Sequence, residues 1–308
     1  MRNASTPSTA AQSKRTDLQQ QVTDTIIRQL EAGTVPWHQP WKGDNSRLPA
    51  LPKNFTTNKR YNGINILLLW GSAIENDYST SEWATFKQWS EKKELIRKGE
   101  KGSLVVYYDT IEKEVDGEVK EIPFLKSSYV FNRCQLANYT LSKIEMAKPE
   151  QLIAPIERVD RFIQNTKAII EHGGSRACYV PHADLVRMPM TDSFESSETC
   201  TSIEHYYSTL FHEMVHWTGN PKRLNRTKGK KFGDQDYAVE ELVAELGAAF
   251  LSAELAINPV GKADHASYIA GWLKLLKDNK KHIFTAASEA SKACDYLNDL
   301  QKVTCTLE

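Results

Sequence analysis

Hydrophobic positions recur at three- and four-residue intervals in several stretches, the period of a helix with one buried face. Val22, Ile26, Ile27 and Leu30 predict a helix from Asp17, with Gly33 where a C-terminal cap would stand. An apolar run from Ile64 to Trp70 follows, then a predicted helix carrying Trp83, Phe86, Lys87 and Trp89. The period then changes: Ser103–Tyr108 and Tyr129–Asn132 read as strands, with Asp116-Gly117 marking a hairpin. Helical spacing returns over Arg158–His172, closed by Gly173-Gly174, and Tyr179–Pro181 and Leu185–Pro189 read as short strands bounded by prolines. From Ser202 the pattern is helical through His216 and stops at Gly219-Asn220-Pro221. A helix over Tyr237–Leu255 and a helical tail (Tyr268, Trp272, Leu275, Leu276, then Ala287, Ala290 and Ala293) complete the chain.

These elements predict an α+β protein of two domains, a module of helices and a small antiparallel sheet over residues 17–145 and a mainly helical domain over 146–308. Residues 1–16, rich in Ser, Thr and Ala, read as a disordered tail, and 141–156, charged and holding Pro149 and Pro155, as a linker. A length of 308 residues gives room for two cores. Lys and Arg balance Asp and Glu at 39 each, so overall charge identifies no partner, but residues 1–108 carry 15 Lys/Arg against 10 Asp/Glu. The five cysteines form no C-x-x-C pair, which points to reduced thiols in a cytosol. With no apolar leader and no membrane-length apolar run, the expectation is a soluble intracellular protein with no membrane partner.

The sharpest chemistry lies in Phe211-His212-Glu213-Met214-Val215-His216-Trp217, an H-E-x-x-H motif. On a helix the two imidazoles lie one turn apart on one face, where they can converge on one ion while Glu213 reaches its bound water. A catalytic zinc takes a third protein ligand. The helix beginning about Tyr237 is the obvious source, because Glu241 and Glu245 share one face among small apolar neighbours, and buried carboxylates call for a cationic partner. Glu241 is the expected ligand and Glu245 the expected support of a ligating imidazole, with the reverse assignment open. Glu240 points to another face and is expected to be solvated. His205, Tyr206, Tyr207, His265 and His282 are unranked candidates for stabilising an oxyanion.

The first half combines basic and aromatic residues. Five of the seven tryptophans fall within the first 89 residues. Trp37, Trp41, Lys59, Arg60, Tyr61, Arg97, Lys98 and Lys101, with Asn62 beside them, suit a groove that attracts phosphates and stacks bases of a single strand. The Arg97–Gly102 turn lacks the spacing of a nucleotide-phosphate loop.

Taken together, Trp37…Pro40-Trp41, Arg60-Tyr61-Asn62-Gly63-Ile64-Asn65, Lys98-Gly99-Glu100-Lys101-Gly102, His212 to Gly219, Arg223-Leu224-Asn225-Arg226 and Tyr237 to Leu246 resemble the ArdC antirestriction family of conjugative plasmids, which includes the N-terminal part of TraC-type plasmid primases. The likeness spans about residues 17–300. It implies an N-terminal domain that binds single-stranded DNA, a C-terminal zincin-like metallopeptidase domain with zinc as the expected divalent metal, and protection of incoming DNA from host restriction endonucleases in the recipient's cytoplasm. A free-standing cytosolic metalloprotease and a DNA-binding protein with a purely structural metal are the alternatives.

Overall fold

The computed structural model describes residues 17–37, 50–115, 118–140, 153–197, 200–226, 235–257 and 265–302. In chain order the elements are α1 (Leu18–Glu31), β1 (Lys53–Asn54), α2 (Ile64–Glu75), β2 (Glu82–Thr85), α3 (Phe86–Glu91), β3 (Ser103–Val115), β4 (Glu118–Asn132), α4 (Ile153–Thr166), β5 (Ile169–His172), β6 (Cys178–Val180), β7 (Leu185–Met188), α5 (Ser202–Thr218), α6 (Gln235–Leu255), α7 (His265–Asp278) and α8 (Lys281–Asp299). The fold is α+β, as expected. The tail 1–16, Trp41, the Asp116-Gly117 turn and most of the predicted linker lie outside the described residues.

The first sheet has the order β1-β2-β4-β3, with β3 and β4 forming one long hairpin from Ser103 opposite Val130 to Val115 opposite Glu118. The second has the order β5-β7-β6, so β6 is an edge strand. Two predicted helices are corrected. Trp83 lies in β2, paired with Asn132 and buried against Leu69, Ala73 and Val130, and the helix starts only after Thr85, whose side chain caps it in a reciprocal box with Gln88. The helix predicted to reach His172 ends at Thr166. Lys167 adopts a left-handed φ of 59°, and the β-branched pair Ile169-Ile170 continues as β5 alongside Leu185-Val186.

One core runs through both halves. Val22, Ile26 and Leu30 of α1 and Leu67 of α2 join Leu210 and Met214 of α5, Leu246 and Phe250 of α6 and the alanine face of α8 in a continuous apolar cluster. Small side chains at Ala286, Ala287, Ala290 and Ala293, all fully buried, let α8 pack closely. The Asn62–Asn65 motif serves the same junction. Gly63 caps α2 at φ 59° and donates its N–H to Ser291 of α8 (2.8 Å), while the Asn65 amide bonds both the N–H and the carbonyl of Val106 (2.8 and 2.7 Å). Among the described residues no helix is long and apolar enough to cross a membrane.

Candidate metal centre

Two helices build the centre. Helix α5 begins at Thr201, which caps it in a reciprocal box with Glu204, and buries Tyr207, Leu210, Phe211, Met214 and Val215 on its inner face. Helix α6 crosses it at Gly247, where an added Cβ would come within 2.6 Å of a Val215 methyl. The missing side chain lets the helices approach until the acidic end of α6 faces the His212–His216 turn of α5.

There the Nε2 atoms of His212 and His216 stand 3.2 Å apart. The Glu241 carboxylate lies 3.5 Å from the first through Oε2 and 3.4 Å from the second through Oε1. These three residues form a group whose ligand atoms all lie within 4.8 Å of one another. Ligands at about 2.0–2.1 Å from a tetrahedral zinc sit about 3.3 Å from each other, so the donor set fits a small divalent cation. Two imidazole nitrogens facing each other at that distance also require a cation or proton between them.

Behind this face, the second ring nitrogens meet carboxylates. His212 Nδ1 is 3.6 Å from Glu245 Oε1, and His216 Nδ1 is 3.2 Å from Glu240 Oε1. The expectation that Glu240 is solvated is therefore corrected: it is 5% exposed. Helix α6 is packed on both α5 and α8, and Glu240 falls on a face covered by protein, where the buried carboxylate is met by Arg226. Burial pulls the His216 imidazole down, but its hydrogen bonds to Glu240 and Glu241 outweigh this and raise it to about 9. Burial raises Glu241 and Glu240, and the neighbouring imidazoles, joined by Arg226 at Glu240, bring both below the usual carboxylate range.

Glu213 is buried, and its Oε2 accepts a hydrogen bond of 2.7 Å from the backbone N–H of Tyr179 on β6. The strand is fixed in turn: the Tyr179 hydroxyl donates to Asp184 (2.9 Å) and accepts from Asn220 (2.7 Å), and Asp184 is paired with Arg223. Tyr179 and Glu213 line an open cavity of about 520 Å³ together with Cys178, His212, Glu240, Glu241 and Tyr237. Tyr237 was not singled out from the sequence, although it lies one turn before Glu241 on the same face. None of the described oxyanion candidates lines this cavity. Tyr207 donates to Asp160, Tyr206 and His172 bond each other, and His282 bonds the Leu275 carbonyl.

The predicted nucleic-acid residues divide. Trp37 is corrected: at 2% exposure, its ring packed edge-to-face on Trp272 at 5.2 Å, it belongs to the core and cannot stack a base. Arg60 is paired with Glu254 and Arg97 with Glu100, while Tyr61 is half-buried against the Leu69–Trp83 cluster. Lys59, Asn62, Lys98 and Lys101 are exposed. The sequence reading missed the exposed aromatics Phe86, Tyr107, Tyr108 and Tyr129. Tyr107-Tyr108 held the signal, since consecutive strand residues face opposite ways and both cannot enter one core.

A family model described as the N-terminal domain of anti-restriction factor ArdC matches residues 16–131, and one described as a zincin-like metallopeptidase matches 157–289. The uncharacterized protein y4eC of Sinorhizobium fredii is 36% identical over 299 residues, covering 93% of each chain. A DNA primase TraC of Escherichia coli is 34% identical over 292 residues, 90% of this chain and 19% of the primase. Among solved structures, the antirestriction ArdC protein from plasmid R388 superposes with a TM-score of 0.75 in its metal-free form (39% identity, 92% of this chain and 97% of that one). Its Mn(II)-bound form gives 0.74 at 38% identity, over 94% of this chain and 99% of that one.

Proposed function

The chain belongs to the ArdC antirestriction family, and from that premise we propose that it protects incoming plasmid DNA from host restriction endonucleases. In this reading the N-terminal half binds single-stranded DNA and the C-terminal half holds a divalent metal in a metallopeptidase-type site, in the cytoplasm of the recipient cell. His212, His216 and Glu241 are the ligands, zinc is the expected ion, Glu245 supports His212 and Glu213 is the base. The observation that carries the metal reading is the convergence of two imidazole Nε2 atoms, 3.2 Å apart, on the Glu241 carboxylate, whose two oxygens lie 3.4 and 3.5 Å from them. Zinc held there supplies a water of lowered pKa and a Lewis acid. Glu213, fixed through one oxygen by the Tyr179 N–H, takes a proton at its carboxylate and returns it to a leaving group. Strand β6 lies at the end of its sheet beside the cavity, a position that suits an extended peptide.

The single-strand reading is supported by exposed Lys98 and Lys101 on the turn leading into the hairpin. Tyr129, 56% exposed, lies so close to Gly102 that an added Cβ there would be 2.9 Å from its own. That pairing of cations with a bare aromatic face matches the chemistry of sequence-tolerant strand binding.

A second reading, a DNA-binding protein whose metal is structural, draws on the way the centre fastens α5 to α6 through three carboxylates. Glu213→Gln separates the two, because it removes the base and no ligand. The expected result is lost protection in a plasmid-transfer assay with metal content and single-strand affinity retained. Protection unchanged in Glu213→Gln but lost in His212→Ala selects the structural metal. No binding of single strands by the wild type at low salt overturns the nucleic-acid reading.

A further inference from the structure

We infer that Arg226 and Glu240 form a positioning device for His216, set behind the metal centre and built from motif residues outside the group of three ligands. The inference rests on the metal reading above. Glu240 bonds His216 Nδ1 at 3.2 Å, which directs Nε2 at His212 and Glu241. A lone buried carboxylate would be free to rotate, but this one is held at both oxygens: Arg226 Nη2 donates to Oε1 (2.9 Å) and Nε to Oε2 (3.1 Å).

The guanidinium is fixed in turn by the C-terminal end of α5. Its Nη1 donates to the Thr218 hydroxyl (2.7 Å) and its Nη2 to the Val215 carbonyl (2.6 Å). Both side chains are almost wholly buried, at 4% and 6% exposure. Gly219 completes the seat, because a Cβ there would be 3.0 Å from Arg226 Nη2 and 3.2 Å from the His216 carbonyl. Its backbone is ordinary right-handed helix, so the glycine is required for space and not for conformation. Three separate stretches of sequence, Thr218-Gly219, Arg226 and Glu240, thus act on one imidazole. A carboxylate that accepts from Nδ1–H fixes the tautomer that leaves Nε2 as a ligand, and such support typically carries a 10–100-fold factor in metal affinity.

The test measures Zn(II) affinity by competition with a chromogenic chelator, together with the visible absorption of Co(II)-loaded protein. It compares wild type, Glu240→Gln, Gly219→Ala and the double variant Glu240→Gln/Arg226→Met, with His212→Ala as the ligand control. Glu240→Gln is expected to weaken Zn(II) binding by about 10–100-fold and to alter the Co(II) spectrum, with single-strand affinity unchanged. Gly219→Ala is expected to do the same to a smaller degree with every carboxylate intact. The double variant leaves no buried charge unpaired, so it keeps the question answerable if Glu240→Gln does not fold; weak Zn(II) binding in it supports the inference. Zn(II) affinity within twofold of wild type in Glu240→Gln or in the double variant overturns it and leaves the metal reading standing. Equal Zn(II) binding by wild type and His212→Ala instead removes the metal reading itself.

Discussion

Two pairs of arginines divide the molecule. Arg223 and Arg226, behind the metal centre, have side chains 8% and 4% exposed and spend their donors on carboxylates and backbone carbonyls. Arg60 and Arg97, in the half expected to bind DNA, are 53% and 46% exposed, and among the described residues they pair with the partly buried Glu254 and Glu100. In the proposed reading the first pair builds a site and the second borders one. A buried guanidinium is positioned by the whole fold, whereas a surface ion pair contributes about 0–1 kcal/mol and exchanges readily for another anion. Arg60 and Arg97 are therefore still open to a phosphate despite being paired, but neither does their geometry specify one.

The largest effect that would sharpen this contrast concerns Trp37, taken from the sequence as a stacking residue. Trp37→Ala removes a buried indole from the junction of the two halves and is expected to cost about 3–5 kcal/mol in denaturant unfolding. Any single-strand affinity measured on the folded fraction should be unchanged; a selective drop in affinity in a variant of native stability would put the ring on the DNA. Next comes Arg223→Ala, which takes the guanidinium partner from Asp184 and removes a cation lying 3.8 Å over the Trp217 ring. The expected cost is about 3 kcal/mol. Arg97→Ala, by comparison, should stay within about 1 kcal/mol of wild type. Similar costs for the two would erase the distinction between building and bordering arginines.

A smaller and differently signed effect belongs to Lys98 and Lys101. Replacing both with alanine should leave thermal unfolding almost unmoved while lowering the slope of log affinity for single strands against log salt by about 0.7 for each phosphate no longer neutralised. An unchanged slope would move the strand elsewhere on the molecule, with Lys59 and the Tyr107-Tyr108 stretch as the next surface to examine.

What could be read from the sequence follows the same division. The spacing of His212, Glu213 and His216 and the helix carrying Glu241 and Glu245 were legible because helical geometry converts spacing into direction without knowledge of the rest of the fold. Glu240 was misread by the same rule. Its position one residue from Glu241 gives it another face, but whether that face meets water depends on Arg226 and α8, which no local pattern contains. Trp37 failed for a related reason, since an aromatic in a proline-bounded segment can equally be a core anchor, and only Trp272, distant in sequence, decides it. Thr85 and Lys167, which moved two helix boundaries, act through a cap and a left-handed turn that periodicity does not register.

The smallest effect tests whether the building network also carries a pH signature. Asp184 is held below its ordinary 3.8, chiefly by the hydrogen bond from Arg223, against the opposing effect of burial. A carboxylate with a lowered folded-state pKa binds protons more readily when unfolded, so its contribution is complete above about pH 4 and is lost as pH falls through the lowered value. The difference in Tm between wild type and Asp184→Asn should therefore be constant from neutral pH down to about pH 5 and shrink below about pH 4. Asp184 sits on the turn between β6 and β7 that presents the Tyr179 N–H to Glu213. Its protonation should accordingly loosen β6 before the rest of the second sheet, seen as faster amide exchange at Tyr179 than at Val186. A Tm difference that persists unchanged to pH 3 would mean that Asp184 contributes through shape and hydrogen bonding alone, and would separate its role from the charge pairing that Arg226 and Glu240 share.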